Sequence, residues 1–368
     1  AAIIRAEDTI ARLGGDEFVI VLSDLGKEPT KCVDHARRIA DKIHGELGKT
    51  YHVETHDLNI TPTIGVTLFP EEGKTVDTIL QEADSAMYQG KADGRNITKF
   101  FHPSMQSEAQ ERLGLERDLR TAIERDELEL FFQPQYDRDC RIFAAETLLR
   151  WQHPNRGSVS PSVFIPIAED SGLILDIGRW VFRRAVECLR RWDNDDTMFF
   201  DHLAINVNSR QFRSPDFVRE TIRDLVSVGV PPQWVVIEVT EGTVIDNFKE
   251  TALKMAQLRD IGIRFSVDDF GIGYSSLSYL SRLPLDQLKI DRSFVTDVLE
   301  DANDAVIAET IIGMGNSLHF QTIAEGVENI EQLQFLRDKG CHGFQGFLFS
   351  KAVQEHEFLT LDRQWRLP

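Results

Sequence analysis

Arg264-Phe-Ser-Val-Asp-Asp-Phe-Gly-Ile-Gly273 is an apolar run that ends in two adjacent carboxylates and a glycine-bracketed turn. Similar runs recur at Leu128 to Tyr136, Ile142 to Leu149, Leu203 to Val207, Val235 to Val239, Gln287 to Ile290, Thr322 to Ala324 and Gly343 to Leu348, with helical patterns between them. Eight strands alternating with helices predict a mostly parallel sheet, and roughly 240 residues is the usual size of a (β/α)8 TIM-like barrel. An open doubly wound sheet is the rival. The polar residues separate the two. Glu146, Asn206, Glu238, Asp268, Asp269, Asp291, Glu325 and Gln345 fall within or at the ends of these strands, where a barrel gathers its active site. A lone acid at a strand end more often caps a helix or faces water; eight such positions together point to a site.

Several carboxylates brought into one low-dielectric mouth must shift their pKa values or take up cations. Oxygen donors from Asp, Glu and an Asn amide suit Mg²⁺ or Mn²⁺, and no Cys or His stands at these positions to favour zinc. Successive strand side chains face opposite ways, so Asp268 and Asp269 can both reach a metal only where the chain turns, as Phe270-Gly-Ile-Gly273 implies. Two ions bridged by one Asp would clamp the attacking and leaving oxygens of a phosphoryl displacement, which makes phosphodiester hydrolysis the natural match. Lys289, between Leu288 and Ile290, reads either as a barrel salt-bridge partner or as a holder of water or a phosphate oxygen. His153 and His342 are not counted as ligands.

The whole chain sets outer limits. Its 368 residues, 42% hydrophobic and 9% aromatic, support two globular units. A net charge of −19 disfavours a DNA or RNA polymer as partner, though not a small phosphate ligand held through metals. Cys32, Cys140, Cys188 and Cys341 form no CxxC pair, which fits the reducing cytoplasm. No run reaches the length of a membrane span. Ala1 to Ile4 open inside an apolar segment with no initiator Met, so a longer parent with an upstream sensor or membrane region is expected.

The first region has a different rhythm. Thr9 to Leu22 predicts a hairpin around Gly14-Gly15-Asp16, followed by a helix near Cys32 to Leu47 and strands near Tyr51 to Asn59 and Pro62 to Phe69. A last helix from about Val76 to Lys91 buries Ile79, Leu80, Ala83, Ala86 and Met87 and stops at Gly94-Arg-Asn96. Phe101 to Arg125 is polar and helical. The expected organisation is a partial domain over 1–100, a linker helix over 101–125 and the barrel over 126–368.

Glu146-Thr-Leu-Leu-Arg-Trp-Gln-His-Pro154, Phe164-Ile-Pro-Ile-Ala-Glu169, Asn206, Ile237-Glu-Val-Thr-Glu241, Asp268 to Leu277, Leu288-Lys-Ile-Asp291, Ala324-Glu-Gly-Val-Glu328 and Gln345-Gly346 resemble, in order, the EAL phosphodiesterase family. The resemblance implies hydrolysis of cyclic di-GMP to linear pGpG with two Mg²⁺ or Mn²⁺ ions. It would give Glu146, Asn206, Glu238 and Asp268 to one ion, and Asp268 with Asp269 to the other. Glu325, as general base, and Lys289 would manage the water, with Gln345 and Asp291 in support. Arg150 would meet substrate phosphate and Glu241 would steady the loop at Asp268. Thr147 replaces the Ala of the signature and should face away from the metals. Ile272 stands where Thr is usual, and Asn208 where Ser is common.

Gly14-Gly-Asp-Glu-Phe18, Arg5-Ala-Glu-Asp8, Ala83-Asp-Ser-Ala-Met-Tyr88, Lys91 and Gly94-Arg-Asn96 resemble the C-terminal half of the GGDEF family of diguanylate cyclases, an α+β nucleotide-cyclase-like fold. The resemblance makes Gly14, Gly15, Asp16 and Glu17 the active-site turn and Arg5 with Asp8 a product-inhibitory site. Lys91 and Arg95, four apart, are expected on one helical face toward phosphates. GTP is then a further partner, and a homodimer is expected. A cyclic di-GMP receptor without turnover and a bifunctional cyclase/phosphodiesterase parent are the alternatives.

Overall fold

A computed structural model describes residues 5, 7–26, 28–53, 56–70, 74–271, 280 and 282–366. Ile272 lies outside them. The chain forms two compact units, Ala1–Leu115 and Glu116–Pro368.

In the first unit, β1 (Thr9–Gly14) and β2 (Glu17–Val21) form the antiparallel hairpin, with Gly14 opposite Glu17 and Gly15 at a φ of 50° in the turn. There follow α1 (Pro29–Leu47), a short hairpin of β3 (Tyr51–Val53) and β4 (His56–Leu58), β5 (Ile64–Val66), α2 (Val76–Ala92) and β6 (Thr98–Phe100), which pairs in parallel with β5. Thr75 caps α2 by accepting from the Thr78 amide, and α2 lies so close to β5 that a Cβ at Gly65 would stand 2.0 Å from the Ala83 carbonyl. The expected pairing of Lys91 and Arg95 on one helical face is not found. The helix ends at Ala92, and Gly94, Arg95 and Asn96 all take positive φ in the turn beyond it. The glycine that stops the helix is what removes Arg95 from its face.

Helix α3 (Pro103–Leu119) is shorter than the linker read from sequence, giving way to turns before β7. The second unit is a closed barrel of β7 (Leu128–Asp137), β8 (Ile142–His153), β10 (His202–Asn206), β11 (Val235–Thr240), β12 (Arg264–Phe270), β13 (Gln287–Ile290), β14 (Gln321–Ala324) and β15 (Gly343–Phe344). Short strands β9 (Gly157–Val159) and β16 (Val353–Gln354) pair with β8 and β7. From β8 through β15 neighbours run parallel, but β7 is antiparallel to both its barrel neighbours, β8 and β15. The cause is the connection. Only Arg138 to Arg141 join β7 to β8, too few for a crossover helix, and Asp137 folds this turn by accepting from the amides of Asp139 (2.8 Å) and Arg141 (2.9 Å).

Helices cover the outside. Between β8 and β10 lie α4 (Pro161–Ser171) and α5 (Ile174–Asn194), the latter burying Ile177, Val181, Ala185, Leu189 and Trp192 at helical spacing. Trp192 meets Phe132 of β7 edge-on at 5.0 Å, and its Nε1 donates to Glu355 at 2.8 Å, which also pairs with Arg191. α6 (Ser209–Arg213) and α7 (Phe217–Val228) follow β10; α8 (Glu241–Asp246) and α9 (Phe248–Asp260) follow β11. Strand alternation sends Ile237, Val267 and Leu288 toward these helices and leaves Glu238, Asp268 and Lys289 inside.

His202, at the start of β10, is 1% exposed, and the Gln287 Nε2 amide lies 3.2 Å from its Nε2. Burial, reinforced by the Arg264 charge, holds the imidazole down at about 3. The unfolded imidazole titrates near 6.5, so as pH falls below 6.5 the unfolded chain takes up a proton that the folded one refuses. Stability from this group is therefore lost on acidification, about 2 kcal/mol between pH 6.5 and 5. Urea unfolding of His202→Asn is expected to show a correspondingly smaller acid loss than wild type; an equal loss rules the assignment out.

Candidate active site

Eight inward side chains meet where the parallel strands end. Glu146 comes from β8, Asn206 from the last position of β10, Glu238 from β11, Asp268 and Asp269 from the end of β12, and Lys289 from β13. Glu325 and Gln345 immediately follow β14 and β15.

Lys289 is fully buried, and its ammonium stands 2.5 Å from Glu325, 3.0 Å from Glu238, 3.2 Å from Glu146 and 3.4 Å from Asp268. Burial opposes its charge, but Asp268, Glu146, Glu238 and Glu325 outweigh it and hold the pKa well above the ordinary lysine value. The carboxylates divide according to their partners. Glu146 receives amide protons on both oxygens, from Asn206 Nδ2 and Gln345 Nε2, each at 2.6 Å. With Lys289 these outweigh burial and keep its pKa below the usual range. Among the described residues Glu238 has Lys289 alone, on Oε2, and nothing partners its buried Oε1; burial pushes its pKa well up. Burial carries Glu325 up to about 8, against Lys289 and with Asp268 and Glu146. Asp269 rises to about 6 through burial, then Asp268 and Asp291.

The adjacent aspartates converge through a break in pairing. The β12–β13 register shifts between Val267 and Phe270, and Asp269 takes a φ of 53°. Strand pairing resumes at Phe270, so a bulge, rather than the strand's end, turns both carboxyls to one side. Oxygens of Asp268, Asp269 and Glu325 lie within 4.8 Å of one another. Glu241, at the start of α8, accepts from the Gly271 amide at 3.2 Å, directly behind this bulge.

These residues fit a hard divalent cation. Glu146, Glu238, Asp268, Asp269 and Glu325 set five carboxylates against one ammonium, an imbalance of four charges that two divalent cations would cancel, and the buried Glu238 Oε1 is an oxygen in want of a partner. Of these, Glu146, Asp268 and Glu325 line one wall of a cavity of about 460 Å³, together with Arg150, whose guanidinium lies 5.5 Å from the Phe131 ring centre. Asp291 faces Asp269 and caps the following helix by accepting from Ser293 N at 2.8 Å.

Two features escaped the sequence reading. Gln133 and Gln135, inward-facing on β7, both bond Gln345. Their signal is polar residues at spacing two within Leu130-Phe-Phe-Gln-Pro-Gln-Tyr136. Asn208 caps α6 and donates to Glu169 of α4, tying the segment after Asn206 to that helix. Thr147 faces away from the site, donating to the Ala204 carbonyl at 2.9 Å.

The EAL domain model matches residues 116–352, well over half of the chain. The chain belongs to the EAL domain family. Ahead of the EAL domain, the diguanylate cyclase GGDEF domain model matches residues 1–97. The bifunctional diguanylate cyclase/cyclic di-GMP phosphodiesterase MucR of Pseudomonas aeruginosa is 38% identical over 97% of this chain and 51% of its own length. The cyclic di-GMP phosphodiesterase NbdA of the same organism is 37% identical over 96% of this chain and 44% of its length. The chain thus spans about half the length of the curated relatives it matches. The solved structure of the PaMucR phosphodiesterase in complex with c-di-GMP superposes on the EAL domain with a TM-score of 0.65 and 37% identity, over 67% of this chain and 99% of that one. Among the described residues no helix is long and apolar enough to cross a membrane.

Proposed function

We propose that the EAL domain hydrolyses cyclic di-GMP to linear pGpG with two Mg²⁺ or Mn²⁺ ions. The observation that carries this is the convergence of Glu146, Glu238, Asp268 and Glu325 on Lys289 beside a cavity that Glu146, Asp268, Glu325 and Arg150 line, in a chain similar to a phosphodiesterase solved with cyclic di-GMP. Glu146, Asn206, Glu238 and Asp268 would hold one ion, and Asp268 with Asp269 would hold the other. When bound, these ions stabilise the charge that develops on the phosphate and acidify the attacking water. Glu325 takes the water's proton, as its raised affinity for a proton suits it to do. Lys289, 2.5 Å away, orients that carboxylate and balances its charge. Arg150 receives the substrate phosphate, its position fixed by the Phe131 ring. Gln345 holds Glu146, Asp291 supports Asp269, and Glu241 braces the backbone after Asp269 at Gly271.

The same proposal gives the chain a partial GGDEF domain over 1–100, a linker over 101–125 and the EAL barrel over 126–368, working as a homodimer in the cytoplasm. GTP would bind beside Gly14 to Glu17 with help from Lys91 and Arg95, Arg5 and Asp8 would form the inhibitory site, and the first unit would modulate the barrel. The Asp8 carboxylate already accepts from the amides of Arg5 (2.8 Å) and Ser23 (3.1 Å), which hold its pKa down and keep it an ionised hydrogen-bond acceptor.

Chromatography after incubation with cyclic di-GMP and Mn²⁺ is expected to show pGpG, which EDTA and Glu146→Ala both abolish. Binding without product would establish a receptor in its place.

A further inference from the structure

We infer that Gln135 is a positioning residue that fixes the carboxamide of Gln345 and, through it, aims Glu146 at the cation. This rests on the reading of Glu146 as a metal ligand. Gln345 Nε2 donates to Glu146 Oε2 at 2.6 Å and to Gln133 Oε1 at 3.1 Å, while its Oε1 accepts from Gln135 Nε2 at 2.9 Å. Gln133 is held in turn, its Nε2 donating to the Ser350 carbonyl at 3.1 Å. Gln135 is fully buried and away from the cavity that Gln133, Glu146 and Gln345 line, so water offers no easy substitute for its amide.

Only one orientation of Gln345 satisfies this chain. Turned over, its carbonyl would face the Glu146 carboxylate and the Gln133 carbonyl, and its NH2 group would face another NH2 on Gln135. Two acceptors on one side cannot by themselves hold the plane of a three-torsion side chain; the donor on the opposite side completes a three-point mount. Glu146 is then gripped by a fixed amide on each oxygen, with Asn206 on the other, and its remaining lone pairs have a set direction. Losing a hydrogen-bonded support of a metal ligand typically costs roughly 10–100-fold in metal affinity. Gln135 itself gains little: among the described residues its own Oε1 is buried without a partner.

Mn²⁺ affinity should be measured by calorimetry, without substrate, for wild type, Gln135→Met, Gln345→Met and the double variant. Gln135→Met is expected to weaken Mn²⁺ binding about tenfold while melting close to wild type without metal. In the Gln345→Met background the same change should do nothing further, because it acts through that amide. Equal effects in both backgrounds, or an unchanged affinity, overturn the inference and leave the phosphodiesterase reading intact. Wild type failing to bind Mn²⁺ overturns both. A check free of any folding problem uses the wild-type protein with labelled glutamine: side-chain amide NMR should place the Gln345 NH2 protons against Glu146 and Gln133, and an NH2 facing Gln135 overturns the inference.

Discussion

Lys289→Met is expected to slow cyclic di-GMP hydrolysis by a factor of about a thousand or more and to lower the melting point of the metal-free protein by about 10 °C. Among the described residues the lysine is the one cation within 3.4 Å of four carboxylates, two buried (Glu146 and Glu238) and two half-buried (Asp268 and Glu325). Removing one partner of a buried ion pair costs about 3–5 kcal/mol, because the charges left behind have neither water nor a counterion. Glu238 suffers most, since among the described residues its one partner is the lost ammonium. Mn²⁺ should return more thermal stability to this variant than to wild type, as the cation then supplies all the compensating charge. Calorimetric scans with EDTA and with saturating Mn²⁺ read this directly. A variant as stable as wild type in EDTA would show that the acidic cluster does not depend on Lys289.

Glu325→Gln should cut turnover by a factor of about 10² to 10⁴ and flatten a pH dependence of stability. Glu325 binds its proton up to about pH 8 in the folded protein but only to about 4.5 when unfolded. Its contribution is fully present below 4.5 and is lost as pH rises through 8. Between pH 6.5 and 8 the last of the unfolded His202 titration works only weakly in the opposite direction, so the metal-free protein should become easier to unfold as pH rises. Saturating Mg²⁺ should abolish that slope, because cations take over from protons as the neutralising charge. Denaturant midpoints at pH 6.5 and 8, with and without metal, decide it; a slope of opposite sign, or one that Glu325→Gln leaves unchanged, defeats the assignment.

The barrel and its acidic mouth were legible because their signals are local. Apolar runs such as Val235 to Val239 announce strands, and a lone Glu238 or Lys289 within them announces an inward function. What escaped was set by connections and partners. The four-residue link from Arg138 to Arg141 requires an antiparallel hairpin, yet an apolar run carries no mark of its direction. Gln133 and Gln135 look like scattered polar residues until β7 is known to face β8 across Gln133 and Glu146. Lys91 and Arg95 failed for the opposite reason. Their spacing suggested one face, but Gly94 between them had already ended the helix. The consequence of Asn208 lay in Glu169, a residue 39 positions away in sequence.

The reversed strand also dictates the order in which the protein can be made. β7 leaves the ribosome first among the barrel strands, and two of its three partners, β15 and β16, leave last. Gln135 waits 210 positions for Gln345. Closure over such a span is slow and cannot begin until synthesis of the domain is nearly finished. A nascent chain that already carries Glu146, Glu238 and Asp268 therefore has no finished cation cage. Losing the residues from Gly343 onward would leave β7 paired to β8 alone and the barrel open, so protection by metal should arrive late and as a single event.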